Sequence, residues 1–392
     1  MPKIDDLIKK YCPNGVEYIN LDKVCSVSTG SQLNKTKLKS IGKYPVINGG
    51  ILSSGYWEEY NTEKNTITIS QGGASAGYVN YMQEDFWAGA HCYVVKLIDN
   101  NINYRYLYHF IKNKENELQQ SRQGAGIPGL NRQRVYDLKI PVPPMEVQRE
   151  IVHILDNFTL LTEELTEELT ARQKQYEYYR ENLFNLNNKD TNFKILGDIA
   201  TVTKLAGFEF TKYVNYSNEG NIIALRGLNV KNGALKLNDV KYIDNSDFSK
   251  LNRSKLKIGD LIFTYVGTVG ESAIIEENNR FYLAPNVAKI RFENSNINPY
   301  FMKYYFQTNY FKEKQIGKYM NASSMKNLTM ENIRKFKVPF PPLEEQERIV
   351  SILDRFDKLC NDISEGLPAE IELRKKQYEY YRDKLLTFKE LK

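Results

Sequence analysis

Three histidines, His91, His109 and His153, are all that the 392 residues offer for proton transfer near neutral pH. None stands at metal-ligand spacing from another histidine or an acid, so all three read as structural. The four cysteines, Cys12, Cys25, Cys92 and Cys360, form no CxxC pair, which argues against both a zinc site and a disulfide framework. A GxxxxGK[ST] phosphate loop is missing, and with it the signature of ATP hydrolysis. Methyl transfer to adenine would need a glycine-rich cofactor turn and a (D/N)PP(Y/F) tetrapeptide. The nearest match, Asn298-Pro299-Tyr300-Phe301, lacks the second proline and reads as a turn capping the helix that follows. Gly267-Thr268-Val269-Gly270, after the apolar run DLIFTYV, reads as a tight turn between strands. No catalytic or metal-ligating residue is assigned, and the chain is expected not to be an enzyme.

What the sequence does supply is hydrogen-bonding side chains set among glycines. NTITISQGGASAGYV, from Asn65, predicts a strand of alternating polar and apolar residues running into an exposed loop, with Ser70, Gln71, Gly72, Gly73, Ser75 and Tyr78 as candidate contacts. QQSRQGAGIPGLNRQR adds Arg122, Gln123, Asn131, Arg132 and Arg134. Farther along stand Arg226, Asn229 and Lys231, then Thr268 and Asn286, then Lys318, Asn321, Ser323, Ser324 and Lys326 in GKYMNASSMKN. Arginine, lysine, asparagine and glutamine of this kind contact phosphates or read base edges, and glycine lets backbone approach closely.

These loops belong to a duplicated chain. KIPVPPMEVQREIVHILDNF from Lys139 recurs as KVPFPPLEEQERIVSILDRF from Lys337, an offset of 198, and KQYEYYRENL from Lys174 recurs as KQYEYYRDKL from Lys376, an offset of 202. LDKVCSV from Leu21 matches LGDIATV from Leu196 more weakly. Between these anchors the copies have little in common, as expected of one frame presenting two different readers. The Pro143-Pro144 pair marks a domain boundary and a helix start. Apolar residues at steps of three and four, from Ile151 through Leu155, Leu161, Leu165 and Leu169 to Leu183, then predict an amphipathic helix. At about 1.5 Å per residue it would be on the order of 60 Å long. Thr162-Glu163-Glu164-Leu165 and Thr166-Glu167-Glu168-Leu169 repeat a four-residue unit inside it. Thr162, Leu165, Thr166 and Leu169 are read as a ruler, because adding or removing one unit shifts a helix by about 6 Å while nearly keeping its phase. The second helical copy carries Gly366 and Pro368, where a break is expected. The boundaries follow as residues 1–144, a helix over 145–192, residues 193–342 and a helical tail over 343–392.

Charge supports this division. Residues 1–144 carry 17 basic and 13 acidic side chains and 193–342 carry 22 and 13, whereas the two helical stretches are net acidic. The positive excess thus sits on the two globular blocks, as a phosphate-contacting surface requires. Nowhere do eighteen apolar residues run together and no leader is apparent, so a cytoplasmic, non-membrane protein is expected.

With the repeat, the PPMEVQREIVHILDNF and PPLEEQERIVSILDRF segments and the KQYEYYR runs in hand, the chain resembles the specificity (S) subunits of type I restriction-modification systems over nearly its full length. LGDIA, NGALKLNDVKYI and ISQGGASAGYV carry the looser likeness of the globular blocks. The resemblance implies an α+β fold of two globular mixed α/β target recognition domains, separated by two long antiparallel coiled-coil helices in a pseudo-two-fold internal repeat. Each domain would read one half of a split site on double-stranded DNA. The helices would set the spacer and bind two methyltransferase (M) subunits, which bring S-adenosylmethionine. Restriction (R) subunits using ATP and Mg are optional further partners. The individual base contacts rest on local chemistry alone. The competing readings are a coiled-coil scaffold that does not touch DNA and a stand-alone methyltransferase or nuclease.

Overall fold

A long helix does follow the proline pair. The computed structural model describes residues 2–122, 128–185, 192–320 and 327–391, which divide into two compact units. Unit 1 is Met1–Thr166 with Glu370–Lys392, and unit 2 is Glu167–Ala369.

Unit 1 opens with helix α1 (Pro2–Tyr11) and strand β1 (Glu17–Asn20). Then come β2 (Cys25–Thr29), β3 (Tyr44–Ile47), β4 (Tyr56–Trp57), β5 (Thr66–Ser70), β6 (Val79–Met82), β7 (Trp87–Ala88) and β8 (Cys92–Leu97). Helices α2 (Tyr104–Asn113), α3 (Glu115–Gln120) and α4 (Arg132–Tyr136) precede β9 (Lys139–Val142) and the long α5 (Met145–Leu183). An antiparallel sheet of order β2-β8-β5-β6 lies beside a second of order β4-β3-β7, in which β3 and β7 run parallel; β1 and β9 pair separately.

The alternation expected along β5 is not a buried face and a wet one. Ile67 and Ile69 join the main core, while Thr68 and Ser70 on the other side are buried as well. Its neighbour β8 likewise sends Tyr93 and Val95 to the main core and Cys92 and Val94 to a second cluster with Ile47, Met82, Phe86 and Ala88. Central strands are covered on both faces here because the smaller sheet and the helices take one face each. The main core is completed by Val147, Ile151 and Leu155 from the first turns of α5, and by Leu385 and Leu386 from the far end of the chain.

Unit 2 repeats the plan. Its strands are β10 (Phe193–Ile195), β11 (Ala200–Lys204), β12 (Ile223–Leu225), β13 (Val230–Lys231), β14 (Ala234–Leu235), β15 (Lys241–Tyr242), β16 (Leu261–Thr264), β17 (Ser272–Ile274), β18 (Phe281–Leu283), β19 (Val287–Phe292) and β20 (Lys337–Pro339). The larger sheet is β11-β19-β16-β17, the smaller is β15-β12-β18 with β12 and β18 parallel, and β10 pairs with β20. The hairpin of β13 and β14 has no counterpart among the described residues of unit 1. Phe263, Phe306, Phe311 and Phe336 form an aromatic knot, with the Phe306 and Phe311 rings stacked at 4.4 Å. Burying each such ring contributes about 1.5–3 kcal/mol.

A buried glutamine fixes the start of the helix in each unit. Gln148 accepts from the Asn103 amide at 2.8 Å and donates to the Asn101 and Pro143 carbonyls. Gln346 accepts from Asn298 at 2.9 Å and donates to Asn296 and Pro341. Asn103 and Asn298 in turn cap the helices that follow them, Tyr104–Asn113 and Pro299–Gln307, with their side-chain oxygens. The capping role expected of Asn298 is therefore the one it has.

The second helical copy forms two helices, Leu343–Asn361 and Leu367–Leu385, with the break at Gly366. A Cβ there would lie 2.5 Å from the Lys358 carbonyl oxygen, so the turn tolerates only glycine. In unit 2 Tyr176, near the end of α5, and Phe184, just after it, join a core that Ile349, Val350 and Leu353 share. Tyr176 and Phe356 stack at 6.0 Å there, and in unit 1 Phe158 and Tyr381 stack at 5.4 Å. Each globular block thus packs on the beginning of the helical segment that follows it and on a KQYEYYR run contributed by the other repeat.

Candidate nucleic-acid interface

In unit 1 the expected contact residues gather where β5 leaves the sheet. The Gln71 amide donates to the His91 carbonyl at 2.9 Å, and the Gln71 carbonyl accepts from Leu130 at 2.7 Å. Gly73 donates to the Pro128 carbonyl at 2.9 Å, and Arg122 Nη1 donates to the Ala74 carbonyl at 2.9 Å. The loop over 71–78 and the segment from Pro128 are therefore held edge to edge, with a bridge between Gly72 and Gly129. Gly73 sits at φ 80 with open space around its missing Cβ, so backbone there is accessible to a ligand. Gln71, Ser75 and Tyr78 are half-buried, while Arg132 and Arg134 are exposed on α4. Lys112 Nζ lies 4.4 Å from the Tyr78 ring centre, and burial pushes the Tyr78 hydroxyl up from its ordinary pKa, keeping it a donor.

One expectation needs correcting in this unit. Ser70 is buried and its hydroxyl donates to the Gly49 carbonyl, so it positions the loop instead of facing a ligand. Asn131 spends its side-chain oxygen capping α4 through the Gln133 amide, leaving only its NH2 group for other partners. Gln123 lies outside the described residues. Asn48 and the exposed His91 were missed. The Asn48 side-chain oxygen accepts from the His91 amide at 3.3 Å, and both border the same loop mouth. The run NGG after the apolar YPVI was the available signal.

Unit 2 builds the same mouth from other residues. Tyr265 donates to the Asn286 carbonyl at 3.1 Å, Leu328 donates to the Tyr265 carbonyl at 2.9 Å, and Val266 bridges to Asn327. Residue for residue this is the Gln71, His91, Leu130, Gly72 and Gly129 arrangement. A cavity of about 410 Å³ opens beside it, lined by Phe210, Tyr216, Arg226, Gly227, Leu228, Val266, Thr268, Pro285 and Asn286. It unites Arg226, Thr268 and Asn286, three expected contacts from distant stretches of sequence. Thr268 and Asn286 are exposed, and Asn286 holds φ 73, a left-handed conformation that asparagine tolerates.

Asn229 is corrected outright. It is fully buried, donating to the Lys236 and Asp239 carbonyls and accepting from the Arg226 amide, and so clamps the turn behind the cavity. Arg226 Nη2 donates to the carbonyl and carboxylate of Asp239 at 2.9 and 2.8 Å. Lys231 is exposed on the β13–β14 hairpin, and Lys318 is exposed beside Tyr319. Asn321, Ser323, Ser324 and Lys326 lie outside the described residues.

On α5 the Thr162 hydroxyl donates to the Phe158 carbonyl and the Thr166 hydroxyl to that of Thr162. Leu165 and Leu169 are half-buried, but Leu161, expected on the apolar stripe, is 44% exposed. Among the described residues no group of three or more His, Cys, Asp and Glu could hold a metal ion, and no helix is long and apolar enough to cross a membrane.

The family model for the type I restriction modification DNA specificity domain matches twice, over residues 13–172 and 188–373. The chain belongs to the type I restriction-modification DNA specificity family. Each match takes in one globular block and the helical segment after it. Among relatives of this family, a putative type I restriction enzyme specificity subunit of Haemophilus influenzae is 33% identical over 391 residues, covering 95% of this chain and 96% of the relative. The EcoR124I/EcoR124II specificity subunit of Escherichia coli is 33% identical over 262 residues, 64% of this chain and 63% of that one. The crystal structure of the S subunit from M. genitalium superposes with a TM-score of 0.64 at 18% identity, over 95% of this chain and 96% of that one. This last likeness speaks to the specificity-subunit fold alone.

Proposed function

We propose that this chain recognises a split DNA site, each unit reading one half through its loop mouth, as the non-catalytic specificity component of a methylating complex. The observation that carries the proposal is the repeated mouth. Hydrogen bonds of the same register hold the 71–78 and 128–130 segments in unit 1 and the 265–270 and 327–328 segments in unit 2. The half-buried or exposed side chains there differ: Gln71, Asn48 and His91 in one, Val266, Thr268 and Asn286 in the other. A common frame with unlike tips is what two readers of unlike half-sites require.

Catalysis is assigned to partners. Two methyltransferase subunits docking on the net-acidic helical segments would bring S-adenosylmethionine, and restriction subunits, where present, would bring ATP and Mg. The sequence lacks the motifs for either chemistry, and the setting would be the cytoplasm. Thr162, Leu165, Thr166 and Leu169 act as a spacer ruler in this reading. Deleting residues 166–169 should leave both half-site sequences intact and shorten the preferred spacer by about one or two base pairs. Mapping adenine methylation in cells carrying either form of the chain checks this. An unchanged spacer refutes the ruler, and the absence of site-specific methylation with methyltransferase subunits present refutes the reading as a whole.

A further inference from the structure

Both apolar and polar side chains line the cavity of unit 2. Leu228, Val266 and Pro285 are among its apolar lining residues, and Thr268 and Asn286 among its polar ones. Leu228 is 53% exposed, on a domain whose residues 193–342 carry 22 basic and 13 acidic side chains. An exposed apolar side chain lining a cavity among hydrogen-bonding groups on a cationic surface can meet an apolar group on an anionic partner. Double-stranded DNA offers one such group in its major groove. Thymine presents a C5 methyl beside its O4 acceptor, and guanine presents O6 and N7 acceptors with no methyl.

Arg226 is the side chain that would take guanine. Its Nη2 is already committed to the carbonyl and carboxylate of Asp239, and its Nε is buried without a hydrogen-bond partner. With Nη2 held by Asp239 and Nε buried, the guanidinium is not free for a two-nitrogen grip on guanine, and the other hydrogen-bonding groups lining the cavity include the Thr268 hydroxyl and the Asn286 amide. We propose that this cavity seats the methyl edge of a thymine, with Leu228 as a specificity-determining residue and the Thr268 hydroxyl or Asn286 amide donating to O4. The inference rests on the reading of unit 2 as a half-site reader.

The test uses the complete complex with its methyltransferase subunits and duplexes bearing the mapped site. Each thymine of the half-site read by unit 2 is replaced in turn by deoxyuridine, which removes only the methyl. At one position affinity should fall about fourfold, the value of one buried methyl-sized group. Leu228→Ala should cost about the same on the thymine duplex and abolish the thymine-over-uracil preference at that position. Deoxyuridine effects in the other half-site should be unchanged, which guards against general damage. Uniform tolerance of deoxyuridine, a preference that survives Leu228→Ala, or a half-site without thymine overturns the inference. Those outcomes leave site-specific methylation in place, whereas failure of the functional reading would remove it.

Discussion

In unit 1 the residue whose backbone locks the loop over 71–78 is Gln71, flanked by Gly72; in unit 2 the same position is Tyr265, flanked by Val266. Behind them Asn48 and His91 correspond to Arg226 and Asn286, as shown by the Gly89 amide meeting Ile47 and the Ala284 amide meeting Leu225 in the two units. Only backbone atoms make these matching bonds. The frame therefore constrains the chain path but not the side chains at the tips, and each reader is free to change its chemistry without refolding. The supporting glutamines behave in the opposite way. Gln148 and Gln346 use side-chain atoms for the same three bonds in both units, and the residue type is the same.

That contrast can be broken most severely at the glutamines. Gln148→Ala and Gln346→Ala should each destabilise their own unit by about 2–4 kcal/mol, because buried backbone groups lose their partners. Denaturant unfolding followed by hydrogen exchange in each unit measures it, and a loss confined to one of the two variants would show that the clamps are not equivalent. At the tips, Asn286→Ala should leave stability nearly unchanged but relax one half-site only, by about 1–3 kcal/mol of base discrimination. Methylation of a library randomised at the site reports this. Removal of an exposed cation, as in Arg132→Ala, should weaken binding evenly across sequences and lower the slope of log affinity against log salt by about one. A sequence-dependent effect would move Arg132 from phosphate contact to base reading.

The smallest expected difference concerns pH. His109 of unit 1 is fully buried, with Nε2 at 2.8 Å from Asp156 and Nδ1 at 3.4 Å from the Tyr378 hydroxyl. Burial outweighs the attraction of Asp156 and lowers its pKa below the ordinary 6.5. The unfolded chain then takes up a proton that the folded unit resists, so stability is lost as pH falls from about 6.5. In unit 2 Tyr304 donates to Asp354 in the same relation, and burial raises its pKa far from this range. Hydrogen exchange at pH 7 and pH 5.5 should therefore show unit 1 loosening more than unit 2. Tyr378 and Arg382 face His109 from the C-terminal helix, so the comparison includes His109→Gln, which should remove the acid sensitivity while Tyr378→Phe retains it.

Much of this protein was legible before any fold was known. The duplication, the helix start after Pro143-Pro144, the break at Gly366 and the family resemblance all follow from local rules: proline ends or begins a helix, glycine relieves a crowded turn, and apolar spacing declares a face. The candidate loops were legible as loops for the same reason. Which of their polar residues face outward was not. Ser70 and Asn229 have the chemistry of contact residues and lie buried, while Asn48, marked only by the turn run NGG, and His91 stand at the mouth. Hydrogen-bonding side chains serve backbone and ligand equally well, and the partner is chosen only when distant strands bring a carbonyl such as Gly49 or Asp239 within reach. The exchange of KQYEYYR runs between repeats was hidden likewise. A sequence declares that a helix has an apolar face, and only the assembled core decides which block that face covers.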